Sequence, residues 1–120
     1  MALNKEEVRR KIIDIGHALI AQGGSEALQA RVIAKQVGIS VGSIYNLVGD
    51  IDALHRLINL ELLDELGMVG SSTIDDLDKR GVKDLRLRLL ALAHAYLRFV
   101  EQHQNQWTAL LAFNRNTTSA

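Results

Sequence analysis

Residues 29–47 read QARVIAKQVGISVGSIYNL, and the spacing inside this stretch decides how the chain is organised. Apolar side chains fall at Ile33, Val37, Ile39, Ile44 and Leu47, and the small Ala34 lies four residues before Gly38. Two short helices crossing through a tight glycine turn need that set. Ile33, Ala34 and Val37 share one face of the first helix, where a methyl at Ala34 lets a second helix come close. Gly38 can end the helix in a left-handed conformation at little steric cost. Ile39 fills the corner, Ser40 offers a hydroxyl to cap the next helix, and Ile44 and Leu47 turn back towards the first. Val41, Gly42, Ser43, Tyr45 and Asn46 are left on the outside. The pattern is a helix-turn-helix, whose second helix would enter the major groove of DNA. An αα-hairpin used only for packing is the plainer reading of the same residues.

Upstream, Val8, Ile12, Ile15 and Leu19 recur at helical spacing and predict a helix from about Lys5 to Gln22, capped by Asn4 and stopped at Gly23-Gly24. Arg9, Arg10, Lys11 and Asp14 lie largely off that stripe, as a solvated face or as phosphate contacts. Leu28 is expected to anchor the short connection to the core. Downstream, Val48-Gly49-Asp50 is a turn, and Asp50 is placed to cap a fourth helix over residues 51–66 with a stripe of Leu54, Ile58, Leu62 and Leu66. Residues 67–81 contain Gly70-Ser71-Ser72 and then Asp75, Asp76 and Asp78. They are expected to form a solvated loop, since the full oxygen-ligand set of a calcium loop is missing.

From Val82 to about His103 the chain is again helical, and between Leu89 and Val100 it is apolar almost all round, as in the middle of a bundle. His94 and Arg98 interrupt that run four residues apart. Either they reach solvent and local partners, or they orient a ligand in an otherwise apolar cavity. Trp107, Leu110, Leu111 and Phe113 mark a last short helix, and Asn114 onward is expected to fray.

Composition narrows the choices. A chain of 120 residues with 48% hydrophobic residues and no proline suits an all-α bundle. Lacking cysteine, it has no disulfide, thiol catalysis or cysteine-bound zinc. The start, MALNKEEVRRK, does not look like a secretory leader, and no run is long and apolar enough to span a bilayer, so a cytoplasmic location is expected. The net charge is zero, with +1 on residues 1–50 and −1 on the remainder. Phosphate neutralisation usually supplies much of the affinity for DNA. One copy should therefore bind weakly, and a dimer on a two-part site is expected. The four histidines share no catalytic spacing, and GISVGS has no lysine to hold phosphate, so no enzyme, cofactor or metal site is expected.

The stretch VIAKQVGISVGSIYNLVGDIDAL resembles the DNA-binding signature of the TetR-type transcriptional repressors. Ile33-Ala34, Gly38-Ile39-Ser40, Gly42-Ser43 and Tyr45 carry the resemblance, which covers about the first 55 residues and is architectural beyond them. It implies a three-helix DNA-binding domain (1–49) joined by a long helix to a helical effector-binding and dimerisation domain (50–120). It further implies a homodimer that represses from a palindromic operator on double-stranded DNA until a small molecule releases it. Carried over by position, Tyr45 would contact phosphate and Arg31 would approach the backbone. Val41, Gly42, Ser43 and Asn46 would lie on or near base edges, and Ser40 is a further DNA-binding candidate. Leu62, Leu66, His94, Arg98 and Trp107 are the candidate lining of a largely apolar effector site, where a ligand would tilt the connector helix. The chain departs from the family in three ways. Gln29 stands where a capping hydroxyl is usual, no lysine opens the connector, and two further C-terminal helices are missing, so the second domain is expected to be truncated. The competing function is a helical protein-interaction module.

Overall fold

The computed structural model describes residues 4–118, with side chains through Arg115. Among these residues the chain is all-α: α1 (Lys5–Gly23), a short 3-10 turn (Ser25–Ala27), α2 (Ala30–Val37), α3 (Val41–Val48), α4 (Ile51–Lys79), α5 (Leu85–Gln102) and α6 (Gln104–Thr118). Two compact units result. Residues 1–60 with 105–120 make the first, and residues 61–104 make the second. Packing thus groups the start of α4 and the C-terminal segment with the N-terminal helices. This grouping differs from the division at residue 49/50 expected from sequence.

Local chemistry sets the helix ends. The Asn4 carboxamide oxygen accepts from the Glu7 amide at 2.8 Å and opens α1. Gly24, at φ 76°, closes that helix, its amide donating to the Ile20 carbonyl. Asp50 caps α4 by accepting from the Ala53 amide at 2.8 Å, and Asp84 caps α5 through the Arg86 and Leu87 amides.

In the first unit Ile12, Ile13, Ile20, Ile33, Ile44, Leu54 and Ile58 are the largest fully buried side chains. Leu28 is buried with them. The buried face of α1 is rotated from the expected stripe: Ile12, Ile13, Gly16 and Ile20 are inside, while Val8, Ile15 and Leu19 are only partly buried. Gly16 belongs to that face: a methyl added there would stand 2.6 Å from Ile58 Cδ1 and 3.3 Å from Leu28 Cδ1, so both side chains pack directly on the glycine. On α6, Ala109 joins this core and the Asn105 carboxamide donates to the Ala21 carbonyl at 2.7 Å.

Three further expectations are corrected. Residues 67–79 are not a loop: α4 runs unbroken through Gly67, Gly70 and the serines to Lys79. Each glycine costs a helix about 1 kcal/mol against alanine, but no proline forces a break. Thr73 Oγ1 bonds the Val69 carbonyl, Asp76 pairs with Arg80 at 3.0 Å, and Leu77 is buried. The helix stops at Gly81, φ 73°, where the Val82 amide returns to the Leu77 carbonyl. Secondly, α5 is not enclosed. Only Phe99 is buried, and Leu85, Leu87, Leu89, Leu90 and Leu97 are more than half exposed. An apolar composition records what a helix could bury, not what arrives to cover it. Thirdly, α6 continues helical past Asn114 to Thr118; Ser119 and Ala120, the end of the segment expected to fray, lie outside the described residues.

One buried pair in the first unit is polar. His55 and Asn59, one turn apart on α4, are 8% and 6% exposed, and neither His55 Nε2 nor Asn59 Nδ2 has a hydrogen-bond partner. The Phe113 ring of α6 stands 4.7 Å from the imidazole, and the Arg56 guanidinium lies over that same ring at 5.8 Å. Burial holds the His55 pKa below its ordinary 6.5, with Asp52 pulling weakly the other way. The unfolded chain therefore binds a proton at His55 more readily than the folded one. The stability tied to neutral His55 is complete above pH 6.5 and is lost as pH falls below it. Urea unfolding should show stability declining from pH 7.5 to pH 5, and His55→Gln should flatten that decline; an unchanged slope would dissociate the acid sensitivity from this histidine.

Candidate nucleic-acid interface

The turn between α2 and α3 is built as the spacing predicts. Gly38 adopts φ 85° and ψ 30°, in the left-handed region, and its amide and that of Ile39 both return to the Ala34 carbonyl at 2.8 and 3.1 Å. Ser40 then caps α3, its hydroxyl accepting from the Ser43 amide at 3.1 Å and sharing a 2.9 Å hydrogen bond with the Ser43 hydroxyl. Of the two residues expected to point inward from the end of α3, only Ile44 is fully buried. Val48 takes the second inward place, and Leu47 is half-buried at the edge. α2 has no side-chain cap: the Gln29 carboxamide donates instead to the Glu26 carbonyl at 3.2 Å.

Each residue assigned to DNA can now be placed. Tyr45, 44% exposed, and Asn46 project from the outer side of α3. Gly42 is exposed between them, Val41 and Ser43 are half-buried, and Ser40 is exposed with its hydroxyl engaged in the cap. Arg31 is exposed on the first turn of α2, and Lys35, one turn further on, was not among the sequence candidates. At about 100° per residue, Tyr45 stands at one edge of the outer surface, Gly42 and Asn46 about its middle, and Ser43 and Leu47 towards the opposite edge. Lys5, on the first turn of α1, joins Ser43, Asn46 and Leu47 around a cavity of about 340 Å³. Periodicity within α3 carries no trace of Lys5, because the neighbour comes from 38 or more residues away in sequence.

Gly42 has a distinct geometry. A methyl built there would meet nothing closer than the Ser40 hydroxyl oxygen at 3.8 Å, and its φ is not left-handed. The fold itself therefore does not require glycine at this position.

The proposed effector residues are scattered. Leu62 is buried and Leu66 half-buried on α4, while His94 and Arg98 are both exposed on α5. Trp107 lies half-buried on α6, in the first unit. The acidic residues of α4 have structural partners: Asp76 holds Arg80, and Asp78 holds Arg88 at 2.8 Å. No group of three metal-ligating side chains occurs among the described residues. Among the described residues, no helix is long and apolar enough to cross a membrane.

Residues 12–56 match the family model of bacterial regulatory proteins, tetR family. The match begins on α1 and ends in the first turns of α4, so it frames the core that holds α3. The match supports this segment as the helix-turn-helix, DNA-binding domain of a transcriptional regulator. No curated protein matches the chain significantly.

The cap at Ser40 has a measurable weight. Ser40→Ala should destabilise the first unit by about 0.5–2 kcal/mol, and Ser40→Asn, which keeps an acceptor, should cost much less. Urea titration of the two variants checks this; equal losses would mean that the hydroxyl does not set the start of α3.

Proposed function

We propose, from the tetR-family helix-turn-helix domain that residues 12–56 form, that this protein is a homodimeric transcriptional repressor released from its operator by a small molecule. The observation that carries the DNA-reading part is the outer surface of α3. Small and polar side chains face solvent there, while Ile44 and Val48 lock the opposite face into the core. In this reading α3 lies in the major groove with Gly42, Ser43 and Asn46 towards base edges and Val41 beside them. Tyr45 donates its phenol to a phosphate at one edge, Arg31 supplies a charge from α2, and Ser40 holds the start of the helix against the backbone.

Two features support a dimer. The first 50 residues carry a net charge of only +1, so one copy neutralises few phosphates. The second unit also leaves a run of leucines uncovered on α5, from Leu85 to Leu97, which suits a helix-packing partner. Two-fold pairing would present two α3 helices to the half-sites of a palindrome. The effector would bind in the second unit, against Leu62 and Leu66 of α4 and His94 and Arg98 of α5. The effector can shift operator binding only by its difference in affinity for the two arrangements of the connector. A cytoplasmic location goes with this reading.

Selection of duplexes from a randomised pool, followed by fluorescence anisotropy, tests the proposal. The protein should enrich a two-part site. Tyr45→Phe should weaken binding to that site several-fold without a change in fold. Gly42→Ala should raise stability by up to about 1 kcal/mol, because alanine is the better helix former, yet weaken DNA binding, because a methyl would stand between α3 and the bases. No enrichment, and no binding to duplex DNA even at low salt, would remove the regulator reading and leave the helical interaction module.

A further inference from the structure

The concave edge between α1 and α3 has not been given a task. Its lining is Lys5, Ser43, Asn46 and Leu47 around about 340 Å³. Ser43, Asn46 and Leu47 are neighbours on α3, at spacings of three and four residues, and none of them carries a charge. Among the described residues that line the concavity, Lys5 is the charged one. It is exposed, and among the described residues its ammonium forms no ion pair, in contrast to Arg10, which is tied to Asp14 at 2.8 Å. Glu6 and Glu7 share the first turn of α1 but do not line the concavity, and Glu7 is engaged by the Asn4 carboxamide at 3.2 Å.

A helix lying in the major groove has a sugar–phosphate strand along each of its edges. Under the reading given above, Tyr45 serves the strand on one edge of α3. Towards the opposite edge stand only the neutral Ser43 and Leu47, with Asn46 beside them, and phosphate contacts draw chiefly on cations and side-chain hydrogen-bond donors.

We propose that Lys5 and Asn46 form a phosphate seat between α1 and α3, so that the domain grips the second strand of the duplex through its first helix. The inference rests on the regulator reading and deepens it by assigning a backbone contact outside the helix-turn-helix. In the seat, the Lys5 ammonium donates to a phosphate oxygen while the Asn46 carboxamide donates to a neighbouring oxygen or turns to a base edge. A cavity of this volume admits a phosphate group with part of its hydration. Because the contact is to the backbone, it adds affinity with no preference among sequences.

The experiment measures binding of the full chain to the duplex that it enriches from a randomised pool, across a salt series. Lys5→Gln should lower the slope of log K against log salt by about one per bound protomer. It should weaken enriched and scrambled duplexes by the same factor, roughly three- to tenfold at moderate salt, and leave thermal unfolding unchanged. Lys5→Arg should restore the slope, and Lys11→Gln, an exposed lysine further along α1 that does not line the concavity, should not alter it. If the wild-type protein binds and Lys5→Gln keeps the wild-type slope, the seat is refuted and the regulator reading stands. A loss confined to the enriched duplex would refute it too, because it would make Lys5 a base reader. Should the wild-type protein bind no duplex at all, both fall together.

Discussion

Helix α3 has eight residues, too few to be helical in water by itself. It exists because Ile44 and Val48 are seated in a core built by Ile12, Ile13, Ile33, Leu54 and Ile58 from three other helices. Whatever the outer surface of α3 does, it does at a position fixed by that contact. The same dependence explains why a turn of a few residues at Gly38 matters. It sets the angle at which Ile44 enters, and no side chain beyond the corner has to be rebuilt to keep it there.

Gly16 is the second constraint on the same core. A methyl added there would stand 2.6 Å from Ile58 Cδ1, so the α4 side chain packs directly over the glycine and would have to shift for a bulkier residue. The polar pair His55–Asn59 shows the opposite choice. It leaves two buried nitrogens without partners beside Phe113, and that arrangement costs stability.

The second unit has a different balance. Its long helix survives two glycines because local hydrogen bonds and ion pairs replace what glycine takes away, and its neighbour α5 keeps most of its leucines at the surface.

What the sequence determined alone is everything settled within a few residues. The left-handed Gly38, the caps at Asn4, Ser40 and Asp50, and the outward placement of Gly42, Tyr45 and Asn46 all follow from short-range hydrogen bonds, steric limits and the helical repeat. Those forces act between neighbours, so the chain order displays them. Tertiary structure alone decided which face of α1 is buried, that α4 runs on to Lys79, that α5 stays open, and that Lys5 meets Asn46. Burial depends on what arrives from elsewhere in the chain, and a glycine in a helix is tolerated or fatal according to the partners around it.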